Sequence, residues 1–318
     1  WAIQLSKLNG EMFNKIVYRR SESLLNFLEI CSDQKSGYLP NYGANDGALF
    51  FKLTDNNFRN FRSQLDDLRS VLKNYTYHHS ESSFWYGNDF YNKKQKKISE
   101  VNSFRYGGYY IIEENGTKTF IKCGSYKDRP SQADNLHIDI WINGENYIRD
   151  NGTYKYNTNK NNIKYFNGTE GHNTVSLDKE DQMLKGKRFI WYYWVKNAKG
   201  VLQKNTNYYR FRGEIEAFRH IRKNGIHKKE IKKYFKKNQW DITDSVLNKN
   251  KMMIYQYWHI DPKYLKKIKI TSFDENGNKL TPLLEEKWFS NSNGEKEKSL
   301  RYTFMTKSKK FHTQIKIL

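Results

Sequence analysis

The feature that most constrains the fold is a change in hydrophobic spacing near residue 100 of this 318-residue chain. Upstream of it, apolar side chains such as Phe58, Phe61 and Leu65 recur every three or four positions, which is the spacing of an amphipathic helix. From Phe104 onward, apolar and polar residues alternate in short runs, separated by turn sequences such as Asn143-Gly144. The second pattern is typical of β-strands joined in hairpins.

The two patterns predict two domains, a helical region with a linker at residues 1–100 and a β-domain at residues 101–318. A strand-rich region of this length predicts a large sandwich of antiparallel sheets, with helices expected only before about residue 75. The helices are predicted near residues 1–13, 16–31 and 57–74, the last with Thr54 or Asp55 as its N-cap. The strands are predicted at residues 109–113, 119–123, 136–142, 146–149, 174–177, 189–195, 200–202, 226–235, 239–245, 252–258, 268–273, 287–290 and 300–306.

The chain carries 56 Lys and Arg against 34 Asp and Glu, a formal net charge of +22. Such a charge favours nucleic acid, anionic lipid or an acidic polysaccharide as partner. The alternative is that the Lys-rich composition is a general bias of the genome and serves no charged partner. The sequence has no helix-turn-helix, zinc-finger or RNA-recognition signature, and no run of about 20 apolar residues. We therefore predict no nucleic-acid partner and no transmembrane segment.

The densest polar region contains three short motifs in a fixed order. The first is Pro130-Ser131-Gln132-Ala133-Asp134, the second is Asp150-Asn151-Gly152-Thr153-Tyr154, and the third is His172-Asn173-Thr174-Val175, with Gln182 ten residues after His172. Taken alone, the second motif is typical of a turn with an Asx hydrogen bond. A lone histidine such as His172 is more often a hydrogen-bonded residue at the end of a strand than a metal ligand.

Together, in this order and spacing, the motifs resemble the heparinase II/III-like family of polysaccharide lyases, which includes some alginate lyases. The pattern is most similar to a branch associated with bacterial surface-polysaccharide gene clusters. The resemblance implies the end of an (α/α) toroid followed by the family's large antiparallel β-sandwich, or supersandwich. The upstream segment from Pro40 to Gly47 resembles a loop near the end of that toroid.

The resemblance also implies a structural zinc site at Gln132, Asp150 and His172, where the family has three metal-binding positions. Gln132 stands where the lyases have a histidine, and its neutral oxygen is a poor zinc ligand. His137 is an alternative ligand, although strand alternation places it on the opposite face.

Lyases of the family cleave uronic-acid polysaccharides by β-elimination, with a toroid tyrosine as base or acid. The resemblance implies that this tyrosine lies upstream of Trp1, so Tyr42 and Asn41 are the candidate catalytic residues here. Arg129 is a third, because a guanidinium binds a sugar carboxylate in bidentate fashion. A structural ion pair is the alternative role for Arg129. The candidate substrate-binding residues are Asn45, Asp46, Arg129, Tyr154 and Tyr156.

Two functions follow from these expectations. The first is a carbon–oxygen lyase acting on a glycosaminoglycan or an alginate-like polysaccharide, an activity expected of a longer form with the complete toroid. The second is a catalytically impaired glycan-binding or surface-polysaccharide assembly protein, because Pro130 replaces the family's catalytic histidine. The sequence leaves the compartment open between the periplasm or cell envelope and the cytoplasm of a bacterium.

Overall fold

The computed structural model describes residues 1–41, 43–49, 52–78, 81, 85, 91–94, 97–221, 225–247 and 252–318. The chain divides into two compact units. The first comprises Trp1–Leu39 and Gly47–Ser99, and the second comprises Pro40–Asp46 and Glu100–Leu318. The loop at residues 40–46 therefore groups with the β-rich unit, although its sequence resembles a toroid loop.

The first unit contains helices α1 (Ala2–Leu8), α2 (Lys15–Cys31) and α3 (Arg62–Lys73). Helix α3 begins five residues later than its hydrophobic spacing predicts, and neither predicted cap is used. Its N-cap is Phe61, which makes no side-chain capping hydrogen bond, and its C-cap Asn74 adopts φ of 57°. The Nε of Arg69 on α3 donates to Glu29 on α2 at 2.8 Å, which ties the two helices together.

The second unit is built from two large antiparallel sheets. The strands of both units, within the described residues, are β1 (Tyr75–Thr76), β2 (Tyr91–Asn92), β3 (Val101–Phe104), β4 (Tyr109–Glu114), β5 (Thr117–Lys122), β6 (Ile138–Ile142), β7 (Glu145–Ile148), β8 (Val175–Leu177), β9 (Leu184–Lys185), β10 (Trp191–Tyr192), β11 (Ala198–Lys204), β12 (Tyr208–Glu216), β13 (Ile226–Tyr234), β14 (Gln239–Val246), β15 (Ile254–Ile260), β16 (Ile268–Asp274), β17 (Lys279–Leu280), β18 (Leu283–Phe289), β19 (Glu297–Thr306) and β20 (Lys310–Ile317). Strands β1 and β2 form a short parallel pair in the first unit, and β9 and β10 form a short antiparallel pair in the second. One large sheet has seven strands in the order β11-β12-β13-β14-β20-β16-β17, and the other has the order β18-β19-β15-β7-β6-β5-β4-β3, with β8 paired to β15.

One apolar core joins the inner faces of the two sheets. Tyr110 of β4 contacts Phe211 of β12 with ring centroids 5.0 Å apart, and Trp240 of β14 donates its indole N–H to Thr119 of β5 at 2.9 Å. Aromatic and β-branched residues predominate in this core because they fill the space between two pleated surfaces well. The mostly β architecture and the sandwich predicted from the strand pattern are confirmed.

The expectation of sheets alone after about residue 75 is wrong within the described part of the β-rich unit. Helix α4 (Lys160–Asn167) interrupts the β-rich unit, and short 3₁₀ helices lie at Thr169–Gly171 and Pro262–Lys267. The side chain of Asn159 caps α4 by accepting from the Asn162 N–H at 2.9 Å. The sequence of α4 has few apolar residues, so its hydrophobic spacing does not distinguish it from a loop.

Strand extents also differ from expectation, most clearly at β10, β12 and β20. Strands β12 and β20 were not predicted, although buried and more exposed residues alternate along both. The strand predicted at residues 189–195 is reduced to β10, because Tyr193 adopts φ of 55° and ends the extended backbone. In the part of the chain that the structure describes, no helix is long and apolar enough to cross a membrane.

Candidate glycan site beside a buried Asp–His pair

Asp150 and His172 form a buried hydrogen-bonded pair in the β-rich unit. The Nδ1 of His172 lies 2.6 Å from Oδ2 of Asp150. The other carboxylate oxygen, Oδ1, accepts from the Gly152 N–H at 2.8 Å and closes an Asx turn. Burial alone would lower the pKa of His172, but the charge of Asp150 and this hydrogen bond outweigh burial and raise it. The hydrogen bond to Asp150 therefore favours the protonated form of His172.

His137 lies beside this pair, on the same side of the sheet despite the predicted alternation. Its Nε2 is 3.7 Å from Oδ2 of Asp150 and 3.2 Å from Oδ1 of Asp139. Leu136 adopts φ of 57° immediately before it, and this break in extended backbone resets the alternation. Burial lowers the pKa of His137 to about 4, with Asp150 partly offsetting the shift, so its imidazole is neutral at pH 7.

The hydrogen bonds of His137 fix which ring nitrogen carries its proton. The backbone N–H of Asn173 donates to Nδ1 at 2.9 Å, so Nδ1 presents a lone pair and not a proton. A neutral imidazole then carries its proton on Nε2, the nitrogen that faces Asp139 and Asp150. Nε2 consequently acts as a hydrogen-bond donor and offers no lone pair to a metal.

These contacts test whether the residues fit a zinc ion. One ligand atom from each of His137, Asp150 and His172 lies within 4.8 Å of the other two. Two ligands of a tetrahedral zinc, each about 2.0–2.1 Å from the ion, are roughly 3.3 Å apart. The 2.6 Å separation between His172 and Asp150 is instead that of a shared proton. With Nε2 of His137 donating and Nδ1 of His172 bonded to Asp150, these atoms as arranged do not form a tetrahedral zinc site, and no chemical step below uses one.

Gln132 is held by its amide nitrogen beside the second motif. Its Nε2 donates to the carbonyls of Gly152 and Phe166, each at 3.1 Å. Its Oε1 is buried without a hydrogen-bond partner among the described residues, as is Nε2 of His172. Gln132 thus contacts the backbone beside Asp150, and it makes no direct hydrogen bond to the Asp150 or His172 side chain.

The remaining motif residues hold the backbone around the pair. The Gln182 amide accepts from the Asn135 N–H at 2.9 Å and donates to the Asn135 carbonyl at 2.8 Å. Asn173 donates to the carbonyls of Ile138 and Arg149 at 2.8 and 3.1 Å. These amides replace strand pairing where the chain is irregular, because buried backbone groups must be hydrogen-bonded.

The loop at residues 40–46 lies across the second motif. The side chain of Asn41 donates to the Asp150 carbonyl at 3.4 Å, and the Asn45 N–H donates to Oγ1 of Thr153 at 3.2 Å. The carbonyl of Asp46 accepts from the side chain of Asn293 at 2.8 Å. Tyr42, the candidate catalytic residue of this loop, lies outside the described residues.

A cavity of about 240 Å³ opens beside this loop. Arg129 is exposed at the cavity, and its guanidinium carbon lies 5.0 Å from the ring centroid of Phe189. Tyr156 meets the same ring edge-on at 5.7 Å. The cavity is lined by Ala44, Arg129, Pro130, Ser131, Gln132, Thr153, Tyr156, Asn167, Lys185, Phe189 and Trp191.

Lys185, Phe189 and Trp191 line the cavity but were not predicted from the sequence as site residues. The ammonium of Lys185 donates to the carbonyls of Gly186 and Arg188 and lies 5.1 Å from the Trp191 ring. These residues follow Arg129 by more than 50 positions and belong to no recognisable motif. Only the folded chain brings them to the Pro130–Gln132 segment.

The titratable side chains of the cavity are poorly suited to remove a proton. Burial, together with the nearby Asp46, raises the pKa of Tyr156, which disfavours its phenolate at neutral pH. Burial lowers the pKa of Lys185, but its ammonium is engaged by two carbonyls. Arg129 forms no ion pair with any described carboxylate, so the structural-pair role considered for it has no support among those residues.

Comparison with known proteins identifies this architecture. Residues 97–317 match the family described as Heparinase II/III-like, C-terminal. The chain is similar to heparan sulfate lyase HepC from Pedobacter heparinus, at 17% identity and a TM-score of 0.71, over 96% of this chain and 47% of that chain. It is similar to the Heparinase III-BT4657 gene product at 16% identity and a TM-score of 0.71, over 96% and 47% of the two chains.

A third structure, heparinase III, is 15% identical with a TM-score of 0.63, over 95% of this chain and 48% of that one. The chain therefore spans about half the length of these proteins, and at such identities the likeness shows a shared fold. The comparison with curated proteins finds no match. The family resemblance carried by the three motifs is confirmed, and because the match at residues 97–317 covers more than half of the sequence, the chain belongs to the heparinase II/III-like family.

Proposed function

We propose that this chain binds an acidic, uronic-acid-containing polysaccharide, with one sugar carboxylate at Arg129. The observation that carries the proposal is the cavity in which Arg129, Tyr156 and Phe189 stand together, lined also by Gln132 and Thr153 of the first two motifs. Aromatic rings stack against the apolar faces of sugars, and a guanidinium binds a carboxylate through two parallel hydrogen bonds. The net charge of +22 supports an anionic polymer as the partner.

The state of Arg129 supports the same assignment. It is exposed and forms no ion pair with a described carboxylate, while Phe189 supports one face of its guanidinium. A cation that a ring already orients loses less conformational freedom when an anion binds. The side chain therefore combines an available charge with a restricted geometry, as an anion-recognition residue requires.

The residues of this site are suited to glycan binding but not to the lyase reaction. β-Elimination needs a cation to neutralise the sugar carboxylate, a base at C5 and an acid at the leaving oxygen. Arg129 supplies the first, but Pro130 has no titratable group and Tyr156 favours its neutral phenol. His172 is fully buried, so it does not reach a sugar in the cavity. We infer that glycan binding is the activity of this chain by itself.

Arg129→Ala is expected to weaken binding of an acidic oligosaccharide about 10- to 100-fold, since a charge-assisted bidentate contact contributes roughly 1.5–3 kcal/mol. Arg129→Lys should recover only part of the loss, because an ammonium lacks the planar fork. Isothermal titration calorimetry with heparan sulfate, alginate and hyaluronan oligosaccharides, at low and high salt, measures both effects. Affinity should fall as salt rises, because exposed charges are screened over about 8–10 Å at physiological ionic strength.

The matched control is Arg105→Ala, which removes an exposed arginine from the turn between β3 and β4. If both variants weaken binding equally, total charge and not the cavity determines affinity. If the wild-type protein binds no acidic oligosaccharide at low salt, the proposed function is wrong. The Lys-rich composition of the chain is then a general bias and does not indicate an anionic ligand.

A lyase is the second candidate function, and the family assignment favours it. We propose that the helical first unit is the end of an (α/α) toroid, and that a longer form carrying the toroid tyrosine performs β-elimination. The 318-residue chain itself is expected to form little or no unsaturated product, because catalytic groups act as a unit and losing one removes most of the rate. Ultraviolet absorbance of unsaturated uronates, with the three polysaccharides above as substrates, measures this.

Robust product formation by the 318-residue chain would show that replacing the catalytic histidine with Pro130 is tolerated. Arg129→Ala serves as the control in that event, because a rate that depends on the cavity must fall with it. A rate that Arg129→Ala leaves unchanged would come from a contaminating lyase.

A further inference from the structure

A second cluster of aromatic and cationic side chains lies on the same motif, outside the Arg129 cavity. The ammonium of Lys296 is 4.1 Å from the ring centroid of Trp288 and 5.1 Å from that of Tyr154. Its Nζ donates to Oδ1 of Asn162 at 3.2 Å. Lys155 faces the Tyr154 ring as well, at 5.3 Å. Two ammonium groups thus meet at one tyrosine.

Neither cation is neutralised by a carboxylate in the part of the chain that the structure describes. Lys155 and Lys296 form no ion pair with any described carboxylate, and Lys296 makes one hydrogen bond although an ammonium has three N–H donors. Two cations near one ring, without an ion-pair partner among the described residues, repel each other, and an anion that binds beside them relieves the repulsion. Trp288 keeps 38% of its surface exposed on edge strand β18, which leaves part of an indole available for stacking.

The backbone at Tyr154 is a second, independent feature of this cluster. Tyr154 adopts φ of 64°, a left-handed conformation that bulky residues rarely occupy. The Gly294 N–H donates to its carbonyl at 2.8 Å and helps to hold the conformation. Strained residues of this kind concentrate where a fold presents a side chain to a ligand. Here the conformation directs the Tyr154 ring toward Lys296, whereas Tyr156 meets Phe189 at the Arg129 cavity.

We infer that Trp288, Tyr154 and Lys296 form a second subsite, for another carboxylate- or sulfate-bearing sugar of the same polysaccharide. The Cα atoms of Tyr154 and Tyr156 are at most about 7 Å apart, so the two subsites lie within reach of one oligosaccharide. The inference rests on the proposed function and deepens it, because two adjacent anion subsites select a linear acidic polymer over a single acidic sugar. Affinity should therefore rise with the length of the oligosaccharide.

The test compares disaccharides with octasaccharides of alginate, which carries carboxylates only, and of heparan sulfate, which also carries sulfates. We expect Lys296→Ala and Trp288→Ala each to lower octasaccharide affinity about tenfold and disaccharide affinity less than twofold. The matched control is Lys279→Ala on strand β17 of the other sheet, which removes one exposed charge and should change neither affinity. Near-ultraviolet circular dichroism confirms that each variant is folded.

Equal losses in Lys296→Ala and Lys279→Ala would overturn the second subsite and leave the Arg129 site standing. Wild-type affinity that is independent of oligosaccharide length would overturn it too. If the wild-type protein binds neither length of either glycan, the proposed function fails first and the subsite with it. A loss in Lys296→Ala for heparan sulfate alone would assign the subsite to sulfate and not to carboxylate.

Discussion

Asp134→Ala is expected to lower the free energy of unfolding by about 3–5 kcal/mol, because it leaves a buried ammonium without its partner. Both carboxylate oxygens of Asp134 lie 2.7 Å from Nζ of Lys122, and the Tyr126 hydroxyl donates to Oδ1 at 2.8 Å. Asp134 is 1% and Lys122 7% exposed, so water cannot replace the lost contact. Urea unfolding followed by tryptophan fluorescence measures the loss.

Two variants test the cause of this loss. Replacing both partners, with Lys122→Met and Asp134→Leu, should recover most of the stability, because an apolar pair leaves no buried charge. Glu286→Ala breaks an exposed ion pair with Lys298 and should cost less than about 1 kcal/mol. A loss in Asp134→Ala no larger than in Glu286→Ala would mean that the buried pair contributes little.

The stability supplied by Asp134 should also depend on pH in a defined direction. Burial would raise the pKa of its carboxyl, but the charge of Lys122 outweighs burial and lowers it below the ordinary value of 3.8. A carboxyl with a depressed folded-state pKa stabilises the protein above its unfolded pKa and loses that contribution as pH falls through the folded value. The difference between wild type and Asp134→Ala should therefore be constant near neutral pH and shrink below about pH 4.

The hydrophobic pattern predicted the architecture well because a sheet with one buried face imposes alternation. Strands such as β13 and β14 alternate buried and partly exposed residues along their length and were predicted almost to the residue. Helix α4 was missed because two buried aromatics, Tyr165 and Phe166, are its only deeply buried side chains. A short helix that buries one turn produces no recognisable period.

The candidate site was predictable where order along the chain carries the information. Asp150 and His172 are 22 residues apart, and the order of their motifs predicted that the two side chains lie close together, as their hydrogen bond shows. His137 was expected on the opposite face because the alternation rule assumes extended backbone throughout. The positive φ of Leu136 breaks the extended backbone just before His137. Lys185 and Phe189 were missed because tertiary packing alone brings them to Arg129. The sequence thus predicts residues within a motif better than residues that meet the motif from a distant loop.

Gly152 occupies the most sterically restricted position of the second motif. It adopts φ of 82°, and a Cβ added there would lie 2.2 Å from the carbonyl oxygen of Ser290 and 3.3 Å from Nδ2 of Asn41. The Gly152 N–H closes the Asx turn on Asp150, and its carbonyl accepts from Gln132. A side chain would therefore disturb the loop that orients Asp150, the loop at residues 40–46 and the strand end at Ser290 together.

Gly152→Ala is expected to lower the free energy of unfolding by about 3 kcal/mol, the sum of roughly 1–2 kcal/mol for a left-handed alanine and 1–3 kcal/mol for overpacking. Gly277→Ala is the matched control, since Gly277 has the same φ of 82° and nothing lies within 4 Å of its added Cβ. The control carries the backbone strain alone and should cost about 1–2 kcal/mol. Urea unfolding of both variants separates the two contributions, and equal losses would mean that the Ser290 carbonyl moves aside without cost. A larger loss in Gly152→Ala, accompanied by weaker glycan binding, would establish that close backbone packing at this glycine holds the candidate site in place.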